Sequence, residues 1–208
     1  MFKKYLMHDK ILVRFGSLLG IIVVIFFSVW VLSYLLLPEG ILRGRSIGQA
    51  LAGNDLAGGS VWIEWLRLFA INLGVMLIII IAPNIFRTEG DYPLGYITVT
   101  LIVIMFGIII GTDSFTLSMG GKIPPTVDIF GSSGLYEIAA YVLAAAATAN
   151  IGKYRLVGKW PKQTIEAIVL SKDKWIVQER NVGVILAIII LIIACGWEAY
   201  RISIALAI

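Results

Sequence analysis

Residues 15–37 read FGSLLGIIVVIFFSVWVLSYLLL, a stretch of apolar and small side chains with no charge in it, and Pro38 follows at once. A bilayer's hydrocarbon core of about 30 Å needs roughly 20 apolar residues in a helix, so this stretch is long enough to cross one. With the residues just before it, the first span is predicted over 11–37. Lys3, Lys4, Lys10 and Arg14 precede the uncharged stretch, as in a secretory signal. Its apolar part is too long for a signal's central region, and no small-x-small cleavage site follows. It reads as a retained first helix.

The same texture repeats outward along the chain, apolar blocks separated by short polar gaps. Further spans are predicted over 61–82, 93–111, 134–151 and 182–206. The sequence is 59% hydrophobic and 14% charged, against about 45–50% and about 25% in soluble domains. The predicted fold is all-α: a single polytopic transmembrane bundle over 1–208, with about five spans. The gaps are a Gly-rich loop from Glu39 to Ser60 with Arg43, Arg45, Asn54 and Asp55, a short turn from Arg87 to Tyr92, a loop over 112–133, and a basic loop over 152–181. In the last of these, Pro161 is expected to open a short helix reaching Ser171, with Ile165, Ile168 and Val169 on one side as an interfacial or partner-docking face.

The fourth span differs in kind, with much alanine and little leucine or isoleucine. Ala140, Ala144, Thr148 and Gly152 recur at every fourth position. That small-xxx-small pattern lets helix backbones approach where lipid offers no hydrophobic drive for association. The span is expected inside the bundle.

Five spans put the termini on opposite sides, and the basic residues say which side is which. With the N-terminus cytosolic, Lys3, Lys4, Lys10, Arg14, Arg87, Lys153, Arg155, Lys159, Lys162, Lys172, Lys174 and Arg180 are inside, and only Arg43, Arg45 and Lys122 are in external loops. Twelve against three is a positive-inside signature, with the C-terminus external. Topology thus accounts for the net charge of +4, and no nucleic-acid partner is expected.

Cys195 is the one cysteine, in an apolar run, and His8 the one histidine, in the basic tail. The inventory excludes an intrachain disulfide, a Cys/His zinc cluster, Cys/His catalysis and the HExxH protease helix. No metal or cofactor is expected, and Cys195 reads as a small buried hydrophobe.

The charges that remain inside the spans are the candidate functional residues. Glu64, Arg67 and Glu137 fall in the first two turns of helices that start outside, about 5–10 Å below the outer surface at 1.5 Å per residue. Glu198 and Arg201 fall near the outer end of the fifth span. Asn72 lies near mid-depth in the second. Ionisable groups in a bilayer are costly and face one another or water. Glu64 with Arg67, and Glu198 with Arg201, have the i, i+3 spacing of helical ion pairs. One carboxylate is left in excess. Two readings follow, structural pairs that staple helices or reach the headgroups, and an outward polar pocket or docking site for a partner's membrane segment. Spacing alone does not separate them.

Three segments carry a resemblance. Ser133-Gly134-Leu135-Tyr136-Glu137-Ile138, opening the alanine-rich helix, resembles the Pro-His-Gly-x-x-Glu-Leu signature of the stage II sporulation protein M family, with Ser132 and Ser133 standing where the family has Pro-His. Phe69-Ala70-Ile71-Asn72 and Trp197-Glu198-Ala199-Tyr200 are similar to that family's second-span asparagine and last-span Glu-Ala-Tyr. The resemblance implies a prokaryotic inner-membrane protein without known catalytic chemistry. The family's namesake scaffolds a peptidoglycan-remodelling complex, and its wider relatives are considered partners of membrane or transport components. The positions it implicates are Asn72, Glu137 and Glu198.

The leading expectation is a noncatalytic membrane subunit, embedded in the lipid bilayer and assembled with other membrane proteins or with copies of itself. A second is a permease or channel component working with a separate cytosolic ATPase, since the chain has no phosphate-binding Gly-x-x-x-x-Gly-Lys loop of its own. An intramembrane enzyme ranks third, because the carboxylates come with no activated nucleophile.

Overall fold

The computed structural model describes residues 2–44, 60–115, 120–158, 162–168 and 174–206. Among the described residues, five helices are long and apolar enough to cross a membrane, over Ile11–Leu36, Val61–Ile85, Leu94–Gly111, Ser133–Ile151 and Val177–Ile204. The protein is a polytopic helical bundle. A short leading helix, α1 (Phe2–Leu6), precedes α2 (Ile11–Leu36). The second span is α3 (Val61–Gly74), prolonged by π-helical turns over Val75–Ile81 and a 3-10 turn over Ala82–Ile85. Then come α4 (Leu94–Gly111), α5 (Ser133–Thr148) and α6 (Lys174–Leu206).

The alanine-rich helix α5 is the axis, as its small-residue pattern predicts. Over its span 61% of the apolar window is buried, against 39% or less in every other span. Ala140, Ala144 and Thr148 are all buried. The close approach is real on the α6 side, where a Cβ added to Gly183 would come within 2.8 Å of the Ala147 methyl. A second close seam joins α2 and α4. There Gly107 and Gly111 lie against the Phe26 and Trp30 carbonyls, and the Ser33 hydroxyl donates to the Gly107 carbonyl at 3.1 Å. Leu12, Val24, Leu35, Ile78, Leu101 and Ile193 point outward and are exposed. In a bilayer these face lipid, so they imply nothing about aggregation.

Asn72 and Asn84 are twelve residues apart, which at 3.6 residues per turn would aim them about 120° apart. The wider π turns absorb that angle, and both asparagines face α5. Asn84 is fully buried. Its Nδ2 donates to the Ala145 carbonyl (3.0 Å) and the Thr148 hydroxyl (2.7 Å), and its Oδ1 accepts from Gly95 N–H (2.7 Å). One side chain so joins three spans and caps the first turn of α4.

The carbonyls at the end of α5 are taken by groups from other elements. Arg14 Nε donates to Ala146 at 3.0 Å, and Arg87 Nη2 to Ala149 at 3.3 Å. Cations suit a helix C-terminus, and buried carbonyls need donors. Arg14 is 2% exposed, bound also to the His8 and Asp9 carbonyls at 2.6 and 3.0 Å. It reads from sequence as one of the basic residues outside the membrane. The structure instead seals it into the bundle end.

The basic loop is not the helix expected from Pro161 to Ser171. Tyr154–Val157 and Thr164–Ala167 form strands β2 and β3 of a small sheet with β1 (Phe86–Arg87), in the order β1-β2-β3. β2 runs parallel to β1 and antiparallel to β3. The Thr-Ile-Glu-Ala alternation fits a pleated strand, and β2 offers its backbone partners, which an isolated short helix lacks. Pro161, Val169 and Ser171 themselves fall outside the described residues, as do Arg45, Asn54 and Asp55 of the first loop, and Lys159 and Lys172 of the basic one. The last helix, α6, begins at Lys174, eight residues ahead of the predicted fifth span.

At the opposite end the loops gather on Asp113, which is buried and held at φ 48°. Its carboxylate pairs with Arg43 at 3.5 Å and accepts from Gly121 N–H at 3.2 Å. Lys122 Nζ caps the last turn of α2, donating to the Leu37 carbonyl at 3.0 Å and to that of Tyr34.

Candidate functional site

Asn72 on α3, Glu137 on α5 and Glu198 on α6 are widely separated in sequence, and the bundle brings them to one place. The amide of Asn72 is the hub. Its Nδ2 lies 3.4 Å from Glu137 Oε1 and 3.5 Å from Cys195 Sγ, and its Oδ1 accepts from the Tyr141 hydroxyl at 2.6 Å. Cys195 Sγ is 3.9 Å from Glu137 Oε1. Glu198, on α6, is a close charged neighbour of the Glu137 carboxyl.

Local sequence places each group. Glu137 and Tyr141 are i, i+4 on α5 and share a face. Cys195 and Glu198 are i, i+3 on α6. On α3, Trp65 and Phe69 stack with ring centroids 6.4 Å apart, and Trp65 Nε1 donates to the Ile192 carbonyl at 3.2 Å, which fixes α3 against α6. Tyr141 and Cys195 are buried, while Asn72, Glu137 and Glu198 are partly so.

The other expected residues divide. Glu64 and Arg67 form the predicted pair, Oε1 to Nη2 at 2.8 Å, with Glu64 buried in the first turn of α3. Among the described residues no salt bridge joins Glu198 to Arg201. Glu198 turns to Glu137, while Arg201 stays exposed on another side of α6. The i, i+3 spacing allows a pair, but the packing of α6 leaves Glu198 partly buried and Arg201 exposed. A shallow groove of about 320 Å³, lined by Val61, Trp62, Trp65 and Gly196, runs along the α3/α6 seam.

Sequence reasoning missed two members. Tyr141 was legible as the hydroxyl one turn after Glu137. Cys195 is buried as expected, but its thiol sits among polar groups, and only the tertiary arrangement shows that. Among the described residues, no three of His, Cys, Asp and Glu converge as metal ligands. Compared with protein-family models, curated proteins and solved structures, the chain matches none.

Proposed function

We propose that this chain is a noncatalytic integral membrane subunit, similar to the stage II sporulation protein M family, that assembles with other membrane proteins as a scaffold or accessory component. The observation that supports it most is the meeting of Asn72, Glu137 and Glu198 at one point of three helices. Those are the positions the resemblance implicates, and their convergence is not implied by their spacing. In this reading the N-terminus and the sheet end are cytosolic, the polar cluster lies in the outer part of a prokaryotic inner membrane, and the partner is another membrane protein or a second copy.

Purification from native membranes in mild detergent is expected to recover stoichiometric partners or a homo-oligomer. A lone monomer under those conditions overturns the proposal.

One observation favours a second reading, a permease or channel component served by a separate ATPase. A carboxyl pair inside a membrane domain is a costly arrangement that often marks an ion or proton path. On that reading Glu137→Gln abolishes flux, while a conservative exchange at an exposed lipid-facing site such as Ile193→Leu leaves it intact. Flux that survives neutralising Glu64, Glu137 and Glu198 together rules this reading out.

A further inference from the structure

The small sheet stands directly on the ends of the spans. β1 starts at Phe86, next to the last residue of the second span, and β2 starts at Tyr154, shortly after the fourth ends at Ile151. This layer is where phospholipid headgroups lie. The β1/β2 register pairs Phe86 with Tyr154 and Arg87 with Arg155. Side chains alternate between faces along a strand, so the aromatic pair occupies one face and the two arginines the other. The Phe86 and Tyr154 rings are 5.6 Å apart, an interfacial aromatic pair of the kind that anchors at headgroup depth. The arginine face turns to the helix ends, since Arg87 reaches the Ala149 carbonyl and packs on Gly152.

Like charges directly opposite across two strands are destabilising. The chain compensates only in part. Asp91, in a tight turn at φ 67°, takes Arg155 and also Lys3, the latter at 3.7 Å. Glu166 is the register partner of Arg155 on the far side, exposed on β3. Lys4 and Lys153 add exposed cations at the same end. Both arginines keep an Nε–H that is buried without an acceptor among the described residues. Burial lowers the Arg87 guanidinium from its ordinary value, and Arg155 lowers it further while Asp91 opposes them. It stays charged, and it stays underpaired.

We propose that Arg87 and Arg155, with Lys3 at the rim, form a binding site for the phosphate of an anionic phospholipid headgroup. Two guanidiniums held side by side present the forked donors that suit a phosphodiester, and an arriving anion relieves their repulsion. The acyl chains of such a lipid run down the exposed apolar flanks of the spans. The site is independent of what the chain assembles with.

The test uses the full chain in detergent, loaded with phosphatidylglycerol or with phosphatidylcholine of the same acyl chains, with bound lipid counted by native mass spectrometry. The wild type is expected to retain phosphatidylglycerol preferentially. Arg87→Gln and Arg155→Gln are each expected to lower that retention about fivefold and to leave phosphatidylcholine unchanged, while Lys10→Gln, an exposed residue outside the pair, changes neither. Arg87 also caps α5, so Arg155→Gln decides alone if the other variant fails to fold. Equal retention of the two lipids by the wild type overturns the proposal, as does undiminished phosphatidylglycerol retention in Arg155→Gln. Inorganic phosphate is the second arm. Thermal stabilisation by free phosphate that matches that by phosphatidylglycerol overturns the assignment to a lipid.

Discussion

A methyl group at Gly95 would meet Asn84 Oδ1 and come within 2.5 Å of the Ile80 carbonyl oxygen, and the latter is backbone and cannot give way. Gly95→Ala is therefore expected to destabilise the bundle by about 1–3 kcal/mol, read as the thermal unfolding midpoint in detergent. Gly16→Ala, with nothing within 4 Å of the new methyl, is expected to leave the midpoint unchanged or slightly higher, since alanine is the better helix former. Asn84→Ala leaves the Gly95 N–H without its acceptor and is expected to cost about 1–3 kcal/mol. At this scale the sequence was informative in an uneven way. Asn72, Glu137 and Glu198 stood out because polar groups in an apolar run need a reason. Asn84 did not, because beside Pro83 it looks like the polar stop of a helix, and its partners on α4 and α5 are set only by packing. Arg14 was hidden by the same ambiguity. A cation next to a span snorkels or caps according to which carbonyl lies in reach.

Among the elements, the second span carries the least standard geometry. Its π turns keep Asn72 and Asn84 on one face across twelve residues. Eleven residues of ordinary helix would complete about three turns with only about 20° to spare. The span thus behaves as a regular helix holding one extra residue. Deleting Ile78, which is 71% exposed within the π turns, is expected to restore an ordinary helix and to preserve both asparagine contacts. Deleting the exposed Ile97 from the regular helix α4 is expected to abolish folded yield, because every later side chain rotates by about 100°. Size-exclusion profiles of the two variants check this, and equal loss in both would rule out the π turns as an insertion. Span positions were legible from length and hydropathy. The strand over Thr164–Ala167 was not, since a four-residue segment has no periodicity strong enough to choose, and β2 chose for it.

For the whole molecule, the two ends differ in how they are built. One gathers α1, the sheet and Arg14, Arg87 and Arg155; the other gathers the loops around Asp113 and Lys122. The basic excess predicts that the first end faces the cytosol. In a Cys195→Ser background, Lys4→Cys is expected to react with an impermeant thiol reagent only after the cells are opened, and Glu39→Cys in intact cells; the reverse pattern overturns the orientation. The sequence by itself determined the membrane-spanning character of the chain, where the five long apolar helices among the described residues lie, and which helix is central. Those follow from local quantities, apolar length and side-chain size, which lipid reads one segment at a time. Only the tertiary structure decided that Glu198 leaves Arg201 for Glu137, that Cys195 and Tyr141 join Asn72, and that two arginines stand side by side on a sheet. Each depends on which helix face or strand lies opposite, and that is fixed by the packing of the whole bundle.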